Sequence, residues 1–162
     1  MLSCFDVADY FIWLAHDTGS FISNLKLQKL VYYAQAWHLA LQSEPLFEED
    51  FEAWVHGPVI ATLYKKYKAF GWQPILAEVE LQIDNRTSDF LSEVAAEYFA
   101  CDAYELEQMT HAEEPWQRAR KGLPPDAVST AIIEKDWMRE YYGARVEKNP
   151  ENQTSEKHYI QN

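Results

Sequence analysis

The sequence predicts a mostly α, compact single-domain helical bundle with room for one short β element. Three observations carry this prediction. At 162 residues the chain is long enough to bury one real core without staples. Its hydrophobic share is 48%, with 8 Phe, 10 Tyr and 6 Trp, which excludes disorder for most of its length. Most of its apolar runs repeat at i, i+3 and i+4, the period of a helix, and few of them alternate.

The elements follow in order. Ser3 with Asp6 three residues on opens a first helix over about 5–17, carried by Val7, Phe11 and Leu14 and stopped by "HDTGS". Ser23 and Asn24 then precede a stripe of Leu27, Leu30, Val31, Ala34, His38 and Leu41, which Tyr33, Ala36, Trp37 and Ala40 widen. Such breadth suits a helix buried on several sides, the central helix of the domain. "SEPLFEEDFEAWVHG" has no helical period and reads as a loop with a short extended piece at 51–55. Gly57-Pro58 reads as a helix restart, since proline at the first helical position loses no hydrogen bond. Ile60, Leu63, Tyr64, Tyr67 and Phe70 would form its buried face, Gly71 its end, and Lys65, Lys66 and Lys68 would complement its dipole.

"ILAEVELQID" alternates with period two, as a strand or extended linker does. Phe90, Leu91, Val94, Ala95 and Tyr98 mark another amphipathic helix, and Asp102 with Glu105 caps a short one. "EEPWQRARKGLPP" has proline at a helix start and a Gly-Leu-Pro-Pro stop. Ile133, Trp137 and Tyr141 predict a last helix ending at Gly143. Residues 1–145 read as one domain and 146–162 as a polar, mobile tail.

Charge narrows the partners. The net charge is −12, and between Ala69 and Gln117 the only Lys or Arg is Arg86. A phosphate backbone is repelled by such a surface, so direct nucleic-acid binding is unlike this chain, whereas a basic protein is attracted. Cys4 and Cys101 lack metal-ligand spacing, and "FIWLA" is far short of a membrane span. A cytoplasmic protein with free thiols is expected, with no metal and no cofactor.

The histidines are the candidates for chemistry. His56 and His111 each precede a proline in a helix-start context, where the dipole disfavours imidazolium and keeps a neutral base. The sequence offers no HExxH, GxSxG, nucleotide-binding glycine loop or CxxC to complete an active site. A second reading makes His56 a latch that satisfies backbone groups where loop turns into helix, and gives Thr110 and His111 the same task. A third makes them part of a partner surface, as Trp, Tyr and His at such junctions often are.

Four blocks in order, "LQKLVYYAQAWHLAL" (27–41), "PLFEEDFEAWVHGPV" (45–59), "LYKKYKAFG" (63–71) and "THAEEPWQRARKG" (110–122), closely resemble the Panacea domain. That family is also called the SocA-like antitoxin domain and includes phage-associated proteins similar to GepA. The resemblance runs from about Phe5 to Tyr142. It implies a mostly α-helical, non-enzymatic antitoxin that binds a toxin encoded by the adjacent gene. Some relatives add a DNA-binding segment, commonly helix-turn-helix; with the domain expected to start near Met1 and end before a short polar tail, transcriptional autoregulation is not expected of this chain. Under that reading the partner-binding residues are Trp54, His56, Tyr64, Lys65, His111 and Trp116. An adaptor that delivers its partner to a protease, with the tail as tether, is the alternative, and a His-dependent enzyme ranks behind it. The sequence leaves a homodimer open.

Overall fold

A computed structural model of the chain describes residues 1–146. The expected tail therefore lies, beyond Val146, outside the described residues. Seven α-helices and a three-stranded sheet are present among the described residues: α1 (Cys4–Asp17), α2 (Asn24–Gln42), β1 (Phe51–Trp54), β2 (Gly57–Val59), α3 (Ala61–Tyr67), α4 (Asn85–Tyr98), α5 (Ala103–His111), α6 (Glu114–Arg120), β3 (Ile132–Ile133) and α7 (Lys135–Gly143). No helix among them is long and apolar enough to cross a membrane.

α2 is the axis of the molecule. Every residue from Leu27 to Trp37 is buried, and α7, α1, α4, α5, α3 and β2 all pack on it, α7 most extensively. The breadth of its apolar surface in the sequence is thus explained by neighbours on every side. α1 starts where expected, with the Ser3 hydroxyl accepting from the Asp6 N–H and the Asp6 carboxylate accepting from the Ser3 N–H at 2.8 Å. α5 opens on the same reciprocal pair, Asp102 and Glu105.

A carboxylate, the one buried among the described residues, holds the α2–α7 seam. Glu113 Oε1 accepts hydrogen bonds from Tyr33 and Tyr142, each at 2.7 Å, and the hydroxyls of Tyr142 and Tyr32 lie 3.1 Å apart. Tyr33 stacks on Tyr98, whose hydroxyl accepts from the Trp37 indole at 2.7 Å. Burial raises the Glu113 pKa and outweighs the two hydroxyl donors, which favour the carboxylate.

Two sequence expectations are corrected. Gly57-Pro58 does not restart a helix: both residues lie in β2, paired antiparallel with Trp54 and Ala53 of β1. Proline is tolerated because the strand order β2-β1-β3 places β2 at the edge, where no neighbour asks for its missing N–H. The helix begins at Ala61 instead, and its Ile60 cap position has no side-chain cap. Nor does Ile133 belong to the last helix. It pairs with Phe51 in β3, and the buried face of α7 is Met138 with Tyr142, while Trp137 and Tyr141 are half-buried beside it. The segment 75–84 forms no regular strand, yet its alternation is real: Ile75 is buried, Ala77, Val79, Leu81 and Ile83 pack on the core, and Glu78 and Glu80 face solvent.

Candidate functional site

The β1–β2 hairpin is built around a close approach. Gly57 has φ +104°, and a Cβ placed there would lie 2.5 Å from Lys29 Cε and 2.9 Å from Thr110 Oγ1. Only glycine lets α2 and the end of α5 come this near the turn. The polar side chains of α2 then dock the hairpin backbone. Gln28 accepts from the Ile60 N–H at 3.0 Å, and the Lys29 ammonium donates to the Pro58 carbonyl at 3.2 Å. Asn24 donates to the Tyr64 carbonyl at 3.0 Å and accepts from Gln28.

The latch that the sequence assigns to His56 therefore exists, but α2 supplies it. His56 itself sits at the exposed tip of the two-residue turn after β1, with Nδ1 at 2.9 Å from Glu107 Oε1 of α5 and its ring edge toward Trp72. Lys29, 1% exposed, is pulled down to about 7 by burial, against which Glu107 pulls it back up.

Beside this turn lies an apolar cleft of about 480 Å³. Trp54 and Tyr64 meet edge-to-face in its wall, with ring centroids 5.1 Å apart. His56 and Trp72, Val128 to Thr130, Leu25 and Val59 also line it. Trp72 is 76% exposed and Val128 85% exposed, which is unusual for such large apolar groups.

Trp116 ties α6 to the Trp54 wall of the cleft. Its indole donates to the Trp54 carbonyl at 2.9 Å, and its ring is stacked 3.9 Å from that of His111. On it also rests the guanidinium of Arg120, 4.7 Å from the ring centroid. Arg120 is 2% exposed and hydrogen-bonds to the carbonyls of Ala53, Pro124, Pro125 and Ala127, tying the segment before Val128 to β1 and α6. Burial lowers the His111 pKa, opposed by Glu107 and the Val55 backbone and assisted by Lys29 and Arg120.

Of the six residues predicted from sequence, Trp54, His56 and Tyr64 line the cleft. Trp116 and His111 do not line it; they form one stacked pair, joined to its wall through the Trp54 carbonyl. Lys65 is exposed in the last turn of α3 and does not line it. The sequence reading missed Trp72, Val128 and Glu107. No group of three or more His, Cys, Asp or Glu capable of holding a metal occurs among the described residues.

The family model for the antitoxin SocA-like Panacea domain matches residues 27–117, more than half of the chain. The chain belongs to the Panacea family. A curated relative, antitoxin SocA of Caulobacter vibrioides (strain NA1000 / CB15N), is 46% identical over 50 residues, a stretch that covers 31% of this chain and 27% of that protein. No solved structure matches. The Panacea match takes in the buried stretch of α2, the hairpin, Tyr64, Trp72, Glu107 and Trp116. The Val128 segment, its Arg120 strut and α7 lie beyond it.

Proposed function

We propose that this Panacea-domain chain is the antitoxin of a bacterial or phage toxin–antitoxin pair and neutralises a cognate toxin, encoded by the adjacent gene, through direct protein–protein contact. The observation that carries this reading is the cleft: Trp72 and Val128, large apolar side chains left open to solvent beside the braced hairpin, are what a partner surface needs.

Stoichiometric binding, without turnover, also suits the histidines. The His56 ring is engaged by Glu107 and Trp72, and the His111 ring is stacked on Trp116. Exposed acids such as Glu78, Glu80, Glu97 and Glu105 favour a basic toxin surface.

Co-expression with the product of the adjacent gene tests the proposal. Growth rescue together with a stoichiometric complex is the expected result. Rescue with falling toxin levels and no stable complex would turn the reading toward delivery to a protease. Absence of both rescue and complex rejects the antitoxin role.

A further inference from the structure

Resting on the antitoxin reading, we propose that the cleft is a receptor for one basic side chain, an arginine or lysine, which a segment of the partner inserts among Trp54, Tyr64 and Trp72 beside His56. The lining contains no Lys, Arg, Asp or Glu; three aromatic side chains and one imidazole stand in it among aliphatic side chains and the polar groups of Asn24, Ser129 and Thr130. Aromatic faces are the negative ends of their quadrupoles and attract cations.

The imidazole points the same way. A carboxylate can only accept, so the neutral His56 ring carries its proton on Nδ1 toward Glu107, 2.9 Å away, and leaves Nε2 as an acceptor. An arginine or lysine N–H is the donor that such an atom takes. A partner carboxylate would meet the Nε2 lone pair, and Glu107 behind it.

The charges around the cleft agree. Glu107 stands behind His56, and Glu52 accepts from the Trp54 indole at 3.0 Å. The cations of this region are not in the way: the Lys29 ammonium is buried and held on the Pro58 carbonyl, and Lys65 and Lys68 are exposed outside the lining. With a net charge of −12, a cationic segment is drawn in and an acidic one turned away. The volume of about 480 Å³ accommodates an arginine together with part of its neighbours. An apolar anchor of the same size would fill the space without using the His56 acceptor.

The test uses four probes on the full chain: acetyl-Leu-X-Leu-amide with X as arginine, lysine, glutamine or norleucine, each titrated while the tryptophan indole signals are followed by NMR. Signals are assigned from Trp54→Phe and Trp72→Phe. The expected result is movement of the Trp54 and Trp72 indoles with the arginine and lysine probes, which bind about tenfold more tightly than the glutamine probe. Trp72→Ala, at an exposed position that costs the fold nothing, should weaken the arginine probe by about tenfold with an unchanged melting temperature.

Equal affinity for norleucine and arginine overturns the proposal in favour of a plain apolar anchor. Indoles that no probe moves, or self-association of the chain that covers Trp72, overturn it as well. The two readings fail separately. An arginine preference without growth rescue would leave the receptor standing and remove the antitoxin role, while rescue without the preference would do the reverse.

Discussion

Gly57 is the residue on which the hairpin turns, and it has no room for a side chain. A methyl group there would overlap Lys29 Cε at 2.5 Å and Thr110 Oγ1 at 2.9 Å, on a backbone at φ +104° that L-residues avoid. Gly57→Ala should therefore cost about 2–4 kcal/mol from strain and overpacking together. Urea unfolding would show this as a lowered midpoint, and an unchanged midpoint would mean that the turn is looser than its contacts indicate. Lys29 gives a second prediction at this scale. Its folded value, pulled down by burial to about 7 from 10.5, means that between the two the unfolded chain holds a proton that the folded chain has released. Stability contributed by this site thus rises with pH from about 7 upward, until the buried tyrosines begin to titrate near about 10 in the unfolded chain. Lys29→Met should flatten that rise in unfolding measurements at about pH 7, 8 and 9, and a retained slope would assign it to another group. At this scale the sequence was partly legible. Trp54, His56 and Tyr64 announced themselves as an aromatic cluster beside a Gly-Pro step. Glu107 could not, because it meets His56 across 51 positions of sequence. Gln28, Lys29 and Gln35 look like the polar face of an amphipathic helix, and only the loops folded over that face reveal them as buried struts.

At the level of elements, local signals succeeded where capping or periodicity decides the outcome and failed where pairing does. The caps of α1 and α5 are written in three-residue spacings and form as read. The Gly-Pro step is ambiguous: proline suits a first helical turn and an edge strand equally, and only β1 on one side settled which. Ile133 was drawn into the helical pattern of α7 because a two-residue strand leaves too short a trace to register. The segment from Gly122 to Thr130 has neither period nor pairing, and it is held by Arg120. Two guanidinium nitrogens reach four carbonyls, those of Ala53, Pro124, Pro125 and Ala127, while the ring of Trp116 supports the group from one side. Arg120→Lys should fail to replace this strut, because one ammonium cannot span those acceptors. Amide exchange over 126–131 should then quicken by about tenfold or more, while the α2 amides stay protected. Uniform acceleration across the chain would show Arg120 to be a general stabiliser and not the support of one wall of the cleft.

Over the whole molecule the dominant feature is the asymmetry of charge. The stretch from 76 to 109 exposes Glu78, Glu80, Asp84, Asp89, Glu97, Asp102 and Glu105 against a single exposed cation, Arg86. None of these acids lines the cleft, so the acidic field and the anchor seated in the cleft are distinct contributions to binding. They should accordingly govern different rates of association. Long-range attraction acts before contact and is screened over about 8 Å at physiological salt, whereas the seated anchor acts after contact and is shielded from it. For the complex with the cognate toxin, raising salt from low to above physiological levels should slow association by about tenfold and leave dissociation nearly constant. Trp72→Ala should show the opposite pattern, faster dissociation at every salt concentration with little change in association. Surface plasmon resonance over a salt series separates the two. Association that ignores salt would mean that the acids serve solubility and take no part in the encounter.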